Sequence, residues 1–411
     1  MRKIMASLDI GSDTIKLVVG EIVKNDLTIL AVAEEPSYGV KNAIIESPEE
    51  LMKPLQIVFE KCEDILGLPI KQVILTVPAK EADFSVVNGT IRIENEGSVI
   101  TGADITKVMK SAYRGQIPEG RELISLMPTS FSLDDDRVVR DPKGLTSSRL
   151  SVRGVLITEP KEMLYNILSC LEKLEVDVLD ITVGTVGDYY EFKNKDVNNN
   201  VGIIVNIGAD TTTISVFNKG VLTNTQVIDL GGRNVDNDIS FVYKIPVHVA
   251  RELKHEFALA HSKNASEEDV RVVTDKNNAE TTINQFELSQ VVMSRLEEIL
   301  KISKKQINIL TKKEISYIIF TGGLTEIRDF KLILEEIFGE GAILGRMSEI
   351  GVRHNMYSSC VGMIKYFADK AKLKDKEFSI FTIEEQQKLS KAGKSGNEST
   401  IGKLFGYFFS N

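Results

Sequence analysis

Cysteine and histidine are scarce in this chain of 411 residues, which has three cysteines and four histidines. The cysteines are widely spaced, odd in number and form no Cys-x-x-Cys pair. They predict buried thiols in a reducing cytoplasm, and neither a disulfide framework nor a metal site. The histidines lack metal-ligand spacing, which indicates surface or core residues and not metal ligands.

Basic residues are outnumbered by acidic ones, with 50 Lys and Arg against 59 Asp and Glu and a net charge of −9. This balance argues against nucleic acid as the main partner. The N-terminal residues also predict no secretory signal, because Met1-Arg-Lys is followed at once by a short strand-like run that contains Asp9. The length predicts two or more structural units, each able to bury its own core, and the composition is that of an ordinary soluble globular protein.

A repeated pattern organises the chain. Three strand-like runs between Ile4 and Ala33, separated by glycine-containing or polar turns, predict a β-meander, and the same pattern recurs from Val201 to Leu230. Two copies indicate a duplicated domain with a cleft between the copies. Residues 83–160 are expected to form a small α/β insertion, and residues 233–313 a largely helical stretch with a polar hairpin or loop at 262–284.

The segment Asp9-Ile-Gly-Ser-Asp-Thr14 predicts a tight turn that binds phosphate. Gly11 leaves room for backbone N–H groups, together with the Ser12 and Thr14 hydroxyls, to face phosphate oxygens. Asp9 at the strand end is placed to hold Mg²⁺ through water. Taken alone, this short pattern fits a plain hairpin turn equally well.

Two later turns strengthen the interpretation. Asn206-Ile-Gly-Ala-Asp-Thr-Thr212 repeats the first turn and would hold the same phosphates from the other side. Thr321-Gly322-Gly323 leaves a strand and precedes a helix, so a base and a sugar could lie against bare backbone. The three turns, in this order and about a domain apart, predict a nucleotide cleft.

The last residues are apolar in a helical pattern. On a helix, one broad arc would hold the six apolar side chains Ile401, Leu404, Phe405, Tyr407, Phe408 and Phe409. A helix this short cannot span a bilayer, which takes roughly 20 apolar residues, but it can lie in a bilayer surface. Lysines in the preceding charged tether suit anionic lipid. The alternative is that this end packs back onto the body or onto a partner.

Together, these motifs resemble the superfamily of actin, heat-shock chaperones and sugar kinases and, within it, the FtsA family of bacterial cell-division proteins. The resemblance covers nearly the whole chain, and the position of the insertion separates it from actin and the chaperones. The segments that carry it are Leu8-Asp-Ile-Gly-Ser12, Asp141-Pro-Lys-Gly-Leu145, Phe320-Thr-Gly-Gly-Leu324 and Tyr357-Ser-Ser-Cys-Val-Gly362.

The resemblance implies an α/β fold in which actin-like, duplicated ribonuclease-H-like domains surround a nucleotide cleft. It adds a small α/β insertion subdomain in the first domain and a C-terminal amphipathic helix. The implied ranges are subdomain 1A (1–82, 161–198 and 352–370), insertion 1C (83–160), subdomain 2A (199–230 and 314–351), helical subdomain 2B (231–313), a flexible linker (371–398) and a membrane-targeting helix (399–411).

The family pattern also implies ATP and Mg²⁺ as ligands. The implied nucleotide contacts are Asp9, Gly11, Ser12, Thr14, Gly208, Asp210, Thr211, Gly231, Gly232, Lys254, Gly322 and Gly323. Lys254 would reach the ribose or base, although a solvated lysine on a helix fits its position almost as well. Asn206 replaces the carboxylate that the family usually has in the second turn, and a neutral amide is no general base. We therefore expect ATP binding with slow or absent hydrolysis.

The partners implied are the C-terminal peptide of the tubulin-like protein FtsZ on subdomain 2B, other copies of the chain in filaments, anionic lipids and other division proteins. The expected location is the cytoplasmic side of the cell membrane at the division septum. Arg295 is a candidate cation for the FtsZ peptide, or else the i,i+3 partner of Glu298 on a solvated face.

Two other functions fit parts of the chain. A pilus-assembly relative of the same fold, which binds a membrane protein's cytoplasmic peptide, accounts for the body but not for the apolar end. A small-molecule kinase would need a carboxylate base across the cleft, and the sequence offers only Asp188 and Asp210.

Overall fold

The computed structural model describes residues 2–24, 26–94, 99–374 and 378–392. Within these residues the strands are β1 (Lys3–Ile10), β2 (Thr14–Val23), β3 (Asp26–Pro36), β4 (Val40–Lys41), β5 (Ile44–Ile45), β6 (Gln72–Val77), β7 (Asp83–Arg92), β8 (Arg121–Ser132), β9 (Val138–Val139), β10 (Arg149–Pro160), β11 (Asp177–Val183), β12 (Val201–Ile207), β13 (Thr212–Asn218), β14 (Val221–Ile228), β15 (Val270–Thr274), β16 (Glu280–Asn284), β17 (Tyr317–Thr321) and β18 (Ala342–Leu344). The α-helices are α1 (Pro48–Leu66), α2 (Gly102–Tyr113), α3 (Lys161–Lys173), α4 (Gly184–Phe192), α5 (Lys195–Asn199), α6 (Gly232–Tyr243), α7 (Val247–Glu256), α8 (Gln285–Leu310), α9 (Phe330–Phe338), α10 (Ser358–Leu373) and α11 (Ile383–Ala392).

Two five-stranded sheets share one topology. The order is β11-β6-β1-β2-β3 in the first sheet and β14-β13-β12-β17-β18 in the second. In each sheet, three consecutive strands pair antiparallel, and two later strands add in parallel beside the first of them. We call the first sheet with its helices the first half, and the second sheet with its helices the second half. The duplication predicted from the two meanders is confirmed.

Helices cover the first sheet. Strand β2 buries residues 15–21 consecutively, so both of its faces are covered, since successive side chains point to opposite faces. Helices α1 and α10 both pack against this strand. Ser47 caps the start of α1 by accepting a hydrogen bond from the backbone N–H of Glu50, and Pro48 occupies the first turn. Gly67 ends the helix in the left-handed conformation, with φ of 68°.

The insertion has a sheet and a core of its own. Its strands run in the order β7-β10-β8-β9, and α2 packs against them. Ile105, Phe131 and Leu150 are fully buried there, in a cluster separate from the cores of the two halves. The chain enters the insertion after β6 and leaves it into α3. The predicted α/β insertion is therefore present, while the exact domain boundaries stay predictions.

The second half carries the helical region. Helices α6, α7, α8 and α9 supply buried apolar residues to the core of the second sheet. The polar stretch at 262–284, for which a hairpin or loop is predicted, contains the antiparallel hairpin β15–β16.

The prediction of a flexible linker at 371–398 is wrong for part of that range. Helix α10 runs on to Leu373, and α11 lies within the same range. We call residues 378–389 the C-terminal strap, because they bind to the first sheet. Ile380 donates a backbone hydrogen bond of 2.9 Å to the carbonyl of Ile4. Phe381 is 3% exposed and belongs to the core of the first half.

The predicted membrane-targeting helix at 399–411, with its six apolar residues, lies outside the described residues. Among the residues that are described, no helix is both long enough and apolar enough to cross a membrane.

Candidate functional site

A cleft of about 560 Å³ lies between the two halves, where β1 and β12 end. Two matching turns face it. The backbone N–H of Gly11 donates to the carbonyl of Thr14 at 3.1 Å, and the N–H of Gly208 donates to the carbonyl of Thr211 at 2.9 Å. The turns lie at equivalent places in the two sheets, because each joins the central strand to its antiparallel neighbour. The duplicated fold therefore puts one polar turn on each side of a single cleft.

The cleft brings the predicted site residues together. All of the predicted nucleotide contacts line it except Gly231, which lies behind the second turn. A side chain at Gly231 would place a Cβ atom 2.5 Å from the carbonyl oxygen of Ala209, so only glycine lets α6 start this close to the turn. The residues that line the cleft are Asp9, Gly11, Ser12, Thr14, Gly208, Asp210, Thr211, Gly232, Lys254, Gly322 and Gly323.

Asp9 is fixed by two donors in the first half. Its Oδ1 accepts a hydrogen bond of 2.6 Å from Thr76 Oγ1, and its Oδ2 pairs with Lys16 Nζ at 3.0 Å. Lys16 is buried. Burial opposes its charge, but the Asp9 carboxylate more than compensates, so the pKa of Lys16 lies above its ordinary value. This lysine keeps a positive charge beside the first phosphate turn.

Sequence reasoning missed Lys16. The available signal was a lysine inside β2, where the residues on both sides of it are buried and apolar. A charged side chain at such a position is retained only with a partner, and here that partner is the carboxylate at the end of β1.

Asn206 and Asp188 join the two halves at the floor of the cleft. Asn206 Nδ2 donates to Asp188 Oδ2 at 2.8 Å, while Ser358 and Ser359 donate to Oδ1 at 2.6 and 2.8 Å. Asp188 is buried. Burial raises the pKa of its carboxyl to about 6, and the three donors oppose that rise. Asp188 is therefore a tightly held carboxylate near neutral pH.

Asp210 turns away from the second phosphate turn towards the first half. Its Oδ2 accepts a hydrogen bond of 2.9 Å from the backbone N–H of Asn42, and its Oδ1 lies 3.1 Å from Arg233 Nη1. This carboxylate, one of the implied nucleotide contacts, thus already has an arginine and an amide as partners.

Lys254 is buried in the cleft, so the alternative of a solvated lysine on a helix is wrong. Its Nζ pairs with Asp236 Oδ1 at 2.6 Å and donates to the carbonyl of Gly232 at 3.1 Å. Burial lowers the pKa of Lys254 in spite of the neighbouring carboxylate. Helices α6 and α7 hold this pair next to the Gly231-Gly232 turn. Its predicted contact with a ribose or base stays a prediction.

The third turn depends on glycine at 322. Gly322 has φ of 96°, and a Cβ atom there would lie 2.5 Å from Asn206 Oδ1 and from the carbonyl oxygen of Ile207. The backbone of β17 therefore passes directly against the second phosphate turn. The helix expected after this turn begins as α9 at Phe330, after a short 3₁₀ turn at Gly323–Glu326.

Further charged or titratable side chains line the cleft that sequence reasoning did not assign there, and four of them are Arg233, Arg251, Glu326 and His354. They come from α6, from α7 and from the loops after β17 and β18, so their convergence depends on tertiary structure that no local pattern encodes.

Arg295 lies on α8, among residues that do not line the cleft. Its Nε and Nη2 donate to Asp238 Oδ2 and Oδ1 at 2.6 and 3.0 Å. It also pairs with Glu298, the i,i+3 neighbour that the sequence offers as an alternative partner. The Asp238 partner was not foreseen. The role of Arg295 towards a peptide stays a prediction.

Relatives of this architecture are found among solved structures. The structure named PilM-PilN type IV pilus biogenesis complex matches with a TM-score of 0.59 at 13% identity, over 88% of this chain and 97% of that one. MreB5 of Spiroplasma citri bound to ADP matches with a TM-score of 0.54 at 13% identity, over 91% and 98%. At this identity the similarity establishes the fold alone, which is the mixed α/β actin-like fold.

Sequence relatives identify the family. Residues 203–362 match the family model for the cell division protein FtsA, and residues 80–158 match the model for the SHS2 domain inserted in FtsA. The FtsA protein of Bacillus subtilis is 28% identical over 93% of this chain and 88% of its own length. That of Pseudomonas aeruginosa is 24% identical over 90% of each. The chain belongs to the FtsA family of actin-like cell-division proteins.

Proposed function

We propose that the chain binds ATP with Mg²⁺ in the cleft, polymerises on the inner face of the cytoplasmic membrane and tethers FtsZ to it at the septum. The observation that carries the nucleotide part is the pair of matching turns at Gly11 and Gly208, which face each other across one cleft. Structures of the same fold have been solved with ADP and with AMPPNP, which supports a nucleotide here.

The cleft suits a polyphosphate between its two turns. Backbone N–H groups and the Ser12, Thr14 and Thr211 hydroxyls would face phosphate oxygens from both sides. Lys16 would supply a buried positive charge at the same end. The base and sugar would lie towards Lys254 and Gly322, where the third turn leaves bare backbone.

The charges in the cleft fit a nucleotide that carries Mg²⁺. Acidic side chains outnumber basic ones there, so a polyphosphate alone would be repelled and needs a divalent cation to offset its charge. The acidic lining residues are Asp9, Asp13, Glu34, Asp188, Asp210, Asp236 and Glu326, and the basic ones are Lys16, Arg233, Arg251 and Lys254. Across the described part of the chain, no group of three or more His, Cys, Asp and Glu forms a metal cage. Mg²⁺ would be held mainly by phosphate oxygens and water, with Asp9 as an outer partner.

The membrane part of the proposal rests on the apolar end at 401–409 and on the family. A single short amphipathic helix binds lipid weakly and reversibly, whereas many copies on one filament bind by avidity. Polymerisation would therefore control attachment. The family match favours this function over a kinase, and over a pilus adaptor, to which only the fold connects the chain.

A vesicle sedimentation assay tests the proposal. The full chain with Mg²⁺ and ATP should sediment with anionic vesicles and carry along a C-terminal FtsZ peptide. A chain ending at Ser399 should stay in the supernatant. Equal sedimentation of both chains would contradict the membrane role of the end. If the full chain sediments with the vesicles while the added FtsZ peptide stays in the supernatant, the tethering role is contradicted.

A further inference from the structure

Three charged side chains meet across the mouth of the cleft. Both terminal nitrogens of Arg251 bind the Asp13 carboxylate, with Nη1–Oδ1 and Nη2–Oδ2 distances of 2.6 Å. Arg233 Nη2 lies 3.8 Å from Asp13 Oδ1 and donates to the carbonyl of Ser12 at 3.2 Å. We call Asp13, Arg233 and Arg251 the clasp.

The clasp connects the two halves at their phosphate turns. Asp13 and Ser12 belong to the turn between β1 and β2, whereas Arg233 and Arg251 lie on α6 and α7 of the second half. Arg233 also binds Asp210 of the second phosphate turn, and Asp210 in turn accepts the backbone N–H of Asn42 from the first half. Each phosphate turn is thus tied to the opposite half.

The other two lysine–aspartate pairs among the residues that line the cleft do not cross it. Lys16 and Asp9 both belong to the first half, and Lys254 and Asp236 both belong to the second. Those pairs survive when the halves separate. The clasp contacts must break, because their partners sit on opposite sides.

The clasp also faces solvent. The side chains of Arg251, Arg233 and Asp13 are 47%, 41% and 26% exposed, against 8% for Lys16. Bidentate arginine–carboxylate pairs are strong and directional, but exposed pairs are screened by salt. Such a contact can hold the cleft closed and still open repeatedly.

We propose that the clasp closes the phosphate end of the cleft and limits the rate at which a bound nucleotide leaves. This inference rests on the proposed nucleotide function. A polyphosphate between the turns at Gly11 and Gly208 lies inside the clasp, so it escapes only after Arg251 and Arg233 release the first half. Breaking the clasp therefore speeds nucleotide release without removing the Lys16 cation.

Release of a fluorescent ATP analogue, chased with excess ATP in the presence of Mg²⁺, measures this rate on the full chain. Asp13→Asn and Arg251→Ala should each speed release about fivefold, because each removes the bidentate charged pair between Asp13 and Arg251. The exchange variant Asp13→Arg with Arg251→Asp should return the rate towards that of the wild type. Raising the salt concentration should speed release from the wild type more than from either single variant.

Asp369→Asn is the matched control, since Asp369 pairs with Lys193 at 2.5 Å within the first half. Its release rate should equal that of the wild type. Single variants that release at the wild-type rate would overturn the proposal, as would an exchange variant that releases as fast as the single variants.

Hydrogen exchange separates this inference from the proposed function, because it needs no nucleotide. The backbone N–H of Asn42 donates a hydrogen bond to Asp210. Its hydrogen should exchange faster in Arg233→Ala than in the wild type, because the halves then separate more often. Unchanged exchange would overturn the clasp. A wild-type chain that binds no ATP analogue would instead overturn the proposed nucleotide function.

Discussion

At the scale of single residues, Asn206 most affects the expected chemistry. Its side-chain amide is committed to Asp188, whose carboxylate also accepts hydrogen bonds from two serines. An amide cannot take a proton from water, and a carboxylate held by three donors is poorly placed to do so. Asp210, the other carboxylate near the second turn, is engaged by Arg233. Among the described residues, the cleft therefore has no free general base near this turn.

This arrangement predicts slow or absent ATP hydrolysis. The purified full chain with Mg²⁺ and ATP should release phosphate in well under one turnover per minute, far below the roughly 10 per second of a typical enzyme. Phosphate release measured over several hours checks this, with a chain carrying Lys16→Ala as the control for contaminating activity. Rapid turnover that Lys16→Ala abolishes would contradict the expectation.

At the scale of secondary-structure elements, the C-terminal strap decides how the tail leaves the body. Gln386 Nε2 donates to the carbonyl of Phe381 at 2.9 Å, and its Oε1 accepts the backbone N–H of Arg2 at 3.2 Å. The ring of Phe378 packs edge-on against Phe367 of α10, with centroids 5.3 Å apart. The strap binds beside the N-terminus and leaves only residues 393–398 between α11 and the predicted helix. Six residues span at most about 20 Å, so the tether is short.

Releasing the strap should lengthen that tether. Phe381→Ala removes a buried ring and should lower the free energy of strap opening by about 3 kcal/mol. Limited proteolysis should then cut within 371–392 at least tenfold faster than in the wild type, while the global melting temperature changes little. Gln386→Ala should act in the same direction, because it removes the contacts to Arg2 and Phe381.

The adjacent Gln387 gives a matched control, since it is exposed. Gln387→Ala should leave cleavage at the wild-type rate. If Phe381→Ala and Gln387→Ala are cut at the same rate, the strap does not hold this segment.

At the scale of the whole molecule, the duplicated topology creates the site. Each half contributes one phosphate turn, and the halves meet at two levels. Asn206 and Asp188 join them at the floor, and Arg251 and Asp13 join them at the mouth. A nucleotide between these levels would contact both halves, so its binding should favour the closed arrangement.

Much of this organisation is readable from the sequence, because the turns and meanders are local patterns. Glycines and apolar runs of strand length specify the turns at Gly11, Gly208 and Gly322 with no knowledge of tertiary contacts. The positions of Arg233 and Arg251 in the cleft could not be predicted, since each lies on an ordinary amphipathic helix. Each contacts a turn that is over 200 residues away in the sequence. The strap could not be predicted because its polar composition resembles that of a flexible linker. Only a few of its side chains, such as Phe381 and Gln386, attach it to the first half.

Hydrogen exchange with and without Mg²⁺ and ATP shows whether a nucleotide binds between the two halves at the three turns. Such a nucleotide should slow exchange in peptides covering 9–14, 206–211 and 321–323, on both halves at once, with little change in the insertion. Protection confined to one half, or none at saturating ATP, would contradict this binding.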